Sequence, residues 1–125
     1  MSHTILFQPR FATLVKSGEK CQTIRPVRKR VIQVGDALSL REWSGSPYRS
    51  KQRLLRSACA VRIEQFETTG FSTVPFILVD GLALEEPDEL KLAIADGFKD
   101  REDMLAWFQE VHGFPFCGVI IHWTN

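Results

Sequence analysis

The chain has 125 residues, 44% of them hydrophobic and 25% charged, which suits one domain with a single core and excludes a collagen-like or disordered chain. No run approaches the ~18 apolar residues of a membrane span, and Met1-Ser2-His3-Thr4 lacks the layout of a secretory leader, so a cytoplasmic protein without a membrane partner is expected. The net charge of +1 conceals a division: residues 1–62 hold 13 Lys/Arg against 3 acids, and residues 63–125 hold 3 against 12. The halves either pair with each other across the fold or leave a basic face for phosphates.

In chain order, residues 4–8 open an apolar strand, and Phe11, Leu14 and Val15 give 10–17 the spacing of a short amphipathic helix stopped by Gly18. Residues 21–25 alternate as a strand, with Thr23 and Arg25 on one face, until Pro26 ends it. Gly35-Asp36 marks a turn before a strand over 37–43, and 44–53 reads as a polar, basic loop. From Ala58 to Phe66 the chain alternates again, with Cys59, Val61 and Ile63 expected on one face.

Residues 74–79 form a short apolar strand closed by Asp80-Gly81. In the acidic half, Asp88 is the expected N-cap of a helix running to about Ala95, and Asp100 caps a second helix with Met104, Trp107, Phe108 and Val111 on its apolar face. Trp107 and Trp123 are assigned to the core. Residues 116–123 are apolar on both faces and predict a central strand. The whole reads as α+β, with five or six strands in a small, partly closed β-barrel and peripheral helices.

The densest polar cluster is Gly18-Glu19-Lys20-Cys21-Gln22-Thr23-Ile24-Arg25-Pro26, at a helix-to-strand junction. A lysine, a hydroxyl and an arginine fork suit a ligand that offers anionic or carbonyl oxygens; a solvated hairpin edge explains the same residues without a ligand. Trp43 and Tyr48 stand among Arg41, Arg49, Lys51, Arg53 and Arg56, an interleaving of aromatics and cations that suits stacked bases and phosphates. The three cysteines are odd in number and scattered, so reduced thiols are expected. His3, His112 and His122 lack metal-ligand spacing, and neither a metal nor another cofactor is expected.

The pattern Gly18-x-Lys20-x-x-Thr23-x-Arg25, then Gly35-Asp36, then Ala95-Asp96-Gly97-Phe98 before a helix and a closing strand ending at Trp123, resembles the ASCH domain, a branch of the PUA-like superfamily. The similarity runs from about Leu6 to Trp123. It implies a small PUA-like β-barrel with a cleft beside the helix 10–17 that binds RNA or a nucleoside. Some members of that family hydrolyse the acetyl amide of N4-acetylcytidine, and others have been linked to RNA cleavage.

In the amidohydrolases a Lys and a Thr of this motif act with a Glu before the later helix. Lys20 and Thr23 match the first two, and Asp96, one methylene shorter, takes the place of the Glu. The chain departs from the compact amidohydrolases by extra sequence around 44–53 and 68–90. On this reading Lys20, Thr23 and Asp96 are the catalytic candidates. Arg25, Arg10, Phe7, Gln8, Trp43 and Tyr48 are the binding candidates.

The chemistry makes demands on the environment. Thr23 is a nucleophile only if Lys20 takes its proton, which requires burial and the neighbouring cations Arg25 and Arg10 to lower the lysine pKa. Asp96 donates to a leaving amine only if desolvation keeps it protonated; a plain Lys20–Asp96 ion pair binds without reacting. If Lys20 acts chemically, its replacement by alanine costs activity and little stability. A further reading makes the acidic run Glu85, Glu86, Asp88 and Glu89 a docking face for a protein partner whose identity is unknown.

Overall fold

A computed structural model describes residues 1–70 and 77–124. The chain is α+β, with a mixed sheet of seven strands and three helices among the described residues. Strand β1 (Ser2–Leu6) pairs in parallel with β3 (Ala37–Trp43), from Ser2 opposite Ala37 to Leu6 opposite Arg41. β3 pairs antiparallel with the first half of the long β4 (Gln52–Thr68), whose second half pairs with β7 (Phe116–Trp123). β7 also pairs with β2 (Gln22–Arg25), so it is central as expected. The short β5 (Ile77–Val79) and β6 (Leu82–Ala83) extend the sheet beyond the end of β4.

In pairing order the strands run β1, β3, β4, β7 and β2, and β1 and β2 are not joined by a ladder. At that seam the Arg25 guanidinium donates from Nη2 to the Leu6 carbonyl at 2.7 Å. The sheet is open there, and the seam is where the cleft described below lies.

Helix α1 (Pro9–Ser17) packs Phe11, Ala12 and Val15 inward and ends at Gly18, whose φ of 89° lets its N–H reach the Val15 carbonyl at 3.2 Å. Arg56, on β4, donates to the Val15 and Lys16 carbonyls at 3.3 and 3.0 Å and so closes the same helix end. Helix α2 (Glu86–Ala95) begins three residues earlier than an N-cap at Asp88 would give: Glu85 is its N-cap, because Pro87 in the first turn favours an earlier start. Helix α3 (Arg101–Val111) starts as the sequence predicts, with Asp100 accepting from the Asp103 N–H at 2.8 Å. The core joins Ile5, Val15, Leu38, Leu40, Phe66, Phe108, Ile120 and Ile121, all fully or almost fully buried.

Three expectations for the strands change. Among the described residues there are seven strands rather than five or six, since β6 is only two residues long and carries no periodicity. The segment 52–53 belongs to β4 rather than to a loop, because β3 pairs it, with Gln52 opposite Trp43 and Arg53 opposite Glu42. Cys59 and Val61 face outward while Ala60 and Phe66 lie in the core: Cys59 stands opposite the exposed Ala37 of β3, and a bulge between Ala60 and Arg62 shifts the register before Ile63, which packs against the core. Of the apolar run 74–79, the part before Ile77 lies outside the described residues.

Candidate functional site

The cleft opens between the ends of β1 and β2 and has a volume of about 220 Å³. Lys20, Thr23, Arg25, Asp96, Phe7 and Gln8 all line it. Six residues named from the sequence therefore meet on one concave surface.

Local structure explains the meeting. Helix α2 ends in a doubly hydrogen-bonded turn, with the Gly97 N–H on the Ile94 carbonyl at 3.0 Å and the Phe98 N–H on the Ala93 carbonyl at 2.9 Å. This turn requires a left-handed residue, supplied by Gly97 at φ 96°, and it aims Asp96 at the cleft while folding Phe98 beneath it. On the other side, the turn after α1 sends the Lys20 stem along Phe11, with the ammonium 5.1 Å from that ring's centre.

Lys20 and Asp96 are 2% and 4% exposed. Lys20 Nζ lies 3.2 Å from Asp96 Oδ1 and also donates to the backbone carbonyl of Asp96. Gln22 Nε2 donates to the same Oδ1 at 3.4 Å. Burial pulls the Lys20 pKa down, against the attraction of Asp96, and Arg25 pulls it further. Burial likewise pushes the Asp96 pKa up, opposed by Lys20, Gln22 and Arg25. Both groups are driven toward their neutral forms, and the attraction between them resists.

Thr23 is 3% exposed, and its Oγ1 accepts a hydrogen bond from Arg25 Nε at 3.0 Å, leaving the hydroxyl proton free to be donated elsewhere. Arg25 is fixed by that contact and by Leu6, with its guanidinium carbon 4.9 Å above the Phe7 ring. Burial lowers its pKa to about 10, so it stays charged at neutral pH.

The remaining candidates lie elsewhere. Arg10 does not line the cleft: it is ion-paired with Asp103 and stacked 4.8 Å over Phe98, and Arg25 rather than Arg10 is the cation that lowers Lys20. Trp43 and Tyr48 line an adjoining hollow that shares Leu6, Phe7 and Gln8 with the cleft. Asp36, in the turn before β3, contacts His3 Nε2 at 2.9 Å and accepts from the Gln33 N–H at 2.9 Å, away from Arg25. Cys21 donates its thiol proton to the Gly18 carbonyl at 3.1 Å and takes no place in the cleft lining.

Several lining residues escaped the sequence reading. Trp107 is half-buried and walls the cleft rather than lying wholly in the core, together with Phe98 and Phe11. His112 stands at the mouth, its ring 4.7 Å from that of Phe116, and burial with Arg25 lowers its pKa, which makes it neutral at pH 7. Its place at the C-cap of α3, opposite a strand far away in sequence, leaves no local signature.

In the acidic half, Glu89 is buried against Arg101 at 3.0 Å, which removes it from any exposed docking face. Among the described residues, no group of three His, Cys, Asp or Glu side chains is placed to hold a metal ion, and no helix is long and apolar enough to cross a membrane. Comparison of the chain with family models, with curated proteins and with solved structures finds no match in any of the three.

Proposed function

We propose that the chain is an ASCH domain of the PUA-like superfamily, a cytoplasmic protein that binds a nucleobase of RNA or of a modified nucleoside in the Lys20–Thr23–Arg25–Asp96 cleft. The observation that carries this reading is the convergence of those four groups inside aromatic walls. Phe7, Phe11, Phe98 and Trp107 supply apolar surface, and the cations stand against it, Arg25 over Phe7 and Lys20 over Phe11. A volume of about 220 Å³ lies below the ~300–1,000 Å³ typical of drug-sized ligands and suits one planar base. The pairing order of the strands, open at the seam crossed by Arg25, supports the partly closed barrel that the resemblance implies.

The test is titration of the purified protein with cytidine, N4-acetylcytidine and short RNA, followed by calorimetry. Saturable binding that Arg25→Ala weakens at least tenfold supports the reading. Absence of binding to all three at millimolar concentration overturns it.

A second reading, hydrolysis of an acylated cytidine, is favoured by one further observation: burial drives Lys20 and Asp96 toward the neutral amine and the neutral acid that the chemistry requires. Thr23 Oγ attacks the acetyl carbonyl carbon as its proton passes to the Lys20 amine, and the carbonyl electron pair moves onto an oxygen facing Arg25. The intermediate then expels cytidine, whose N4 takes the Asp96 proton. Water adds to the acyl-threonine, giving its proton to Asp96, while Lys20 reprotonates the departing threonine oxygen and acetic acid leaves. Cytidine and acetate appearing together in a chromatographic assay support this. No turnover at stoichiometric enzyme removes it and leaves binding alone. A ribonuclease acting through the same residues would show instead as cleaved RNA.

A further inference from the structure

The hollow beside the cleft has a volume of about 260 Å³ and is bounded on its far side by Trp43, Pro47 and Tyr48. Leu6, Phe7 and Gln8 form a wall common to both spaces. Gln8 is exposed on that wall, and although it is the N-cap residue of α1, its side chain makes no capping hydrogen bond. Its carboxamide therefore keeps both a donor and an acceptor for a ligand.

The aromatic pair is held outward. The rings of Trp43 and Tyr48 lie 5.1 Å apart at 49°, and Tyr48 is 87% exposed. Its backbone adopts φ 63°, a left-handed conformation that bulky residues avoid and that costs of order 1 kcal/mol. The loop carrying it is tied by Ser44 N–H to the Lys51 carbonyl at 2.8 Å, by Gly45 N–H to Ser50 Oγ at 3.0 Å and by Ser50 Oγ to the Ser46 carbonyl at 2.8 Å. A large ring is thus presented to solvent by a loop that fixes it there. The loop itself is basic: from Trp43 to Ile63 the chain contains no Asp or Glu, Arg49 and Lys51 are exposed in the same loop, and the acid just before it, Glu42, lies 3.9 Å from Arg53.

From these features we infer that the cleft and the hollow form one bipartite site, and that its ligand is a single-stranded RNA segment of at least two nucleotides rather than a free nucleoside. The inference rests on the base-binding reading above and extends it. One base enters the cleft, its neighbour stacks on Trp43 and Tyr48, and the linking phosphate crosses the Leu6–Gln8 wall on the side where the Arg25 guanidinium overlies Phe7. Each space is too small for two nucleotides, and the common wall sets them side by side. Stacking on aromatics with cations along the backbone is how single strands are held without a rigid sequence code.

The test compares cytidine with the dinucleotide cytidylyl-(3′→5′)-cytidine on the whole chain. The dinucleotide is expected to bind about tenfold tighter or more, with an affinity that falls as salt rises, whereas the affinity for neutral cytidine does not. Tyr48→Gly removes the ring at a position whose backbone glycine adopts freely, so the fold survives, and it is expected to erase most of the dinucleotide's advantage over cytidine. Trp43→Ala is expected to act in the same way. Equal affinities for the two probes, or a Tyr48→Gly variant that keeps the full advantage, overturn the bipartite site and leave the base-binding reading standing. Failure of both probes to bind removes both.

Discussion

Lys20 Nζ and Asp96 Oδ1 lie 3.2 Å apart at the wall of the cleft, with almost all of both residues buried. The burial changes what a lysine substitution means. An exposed catalytic lysine is removed at little cost in stability, whereas here its loss strands a carboxyl group with Gln22 as its remaining side-chain partner. Lys20→Met is expected to cost about 3 kcal/mol of unfolding free energy. Adding Asp96→Leu is expected to return much of it, because the stranded polar group has gone. Urea denaturation of the two single variants and the double variant measures the coupling. Additive losses would mean that the contact contributes little.

The pH dependence of stability follows from the same pair. Asp96 has a raised pKa when folded, so above the ordinary value of 3.8 the folded chain binds more protons than the unfolded one, and stability falls as pH climbs toward the folded pKa. Lys20 has a lowered pKa when folded, so between that value and 10.5 the unfolded chain binds more protons, and stability rises with pH. The profile is expected to dip between the two limbs, and Asp96→Asn is expected to flatten the acid limb. Chemical denaturation from pH 4 to 10 checks this. A maximum in place of the dip would show a pair that stays ionised, and the hydrolytic reading would go with it.

The site was legible in the sequence wherever local rules set a side chain's direction. Gly18, Gly97 and Asp100 announce helix boundaries, and those boundaries place Lys20 and Asp96 on turns facing one another. Thr23 and Arg25 share a strand face by simple alternation, and the structure holds them together at 3.0 Å. What stayed hidden depends on distant chain segments. Arg10 looked like a binding cation, but its partner Asp103 is 93 positions away. Trp107 occupies an apolar helix face in either role, as core residue or as cleft wall, so periodicity does not tell them apart. Cys59 faces outward because β3 sets its register opposite Ala37, and the bulge beyond Ala60 is set by the register with β7; no local pattern encodes either.

Gly97 joins the helix turn to the cleft, and a side chain there meets two obstacles. Its φ of 96° strains any L-residue, and an added Cβ would lie 3.0 Å from Phe11 Cδ1 and 3.4 Å from Lys20 Cδ. Gly97→Ala is expected to lose about 1–2 kcal/mol of stability and to weaken ligand binding, since it disturbs the Phe11 wall and the lysine stem together. Thermal unfolding and calorimetric titration of the same sample give both quantities. A variant with native stability and binding would show that the turn yields easily.

Arg56 separates structural cations from ligand cations. By sequence it belongs to the basic stretch of RNA candidates, yet its guanidinium closes the end of α1 through the Val15 and Lys16 carbonyls. Arg56→Ala is expected to lower stability by about 1 kcal/mol and to leave dinucleotide affinity within twofold of the parent. Lys51→Ala, in the exposed loop, is expected to do the reverse, keeping stability and reducing the salt dependence of RNA binding. Paired denaturation and binding curves decide the assignment. A large affinity loss in Arg56→Ala without a stability loss would return Arg56 to the ligand.

Thr23 discriminates binding from catalysis, because its hydroxyl accepts from Arg25 while retaining its own proton. Thr23→Val keeps the volume and removes the oxygen, leaving Arg25 Nε without that acceptor; it is expected to cost about 1 kcal/mol of stability and a few-fold in nucleoside affinity. Under the binding reading that is its whole effect. Under the hydrolytic reading, Thr23→Val abolishes release of cytidine from N4-acetylcytidine, while Thr23→Ser, which restores an attacking oxygen on the same backbone, keeps a measurable rate. Turnover that survives in Thr23→Val would assign the nucleophile to water and require Lys20 or Asp96 to activate it directly, with Thr23 reduced to positioning the arginine.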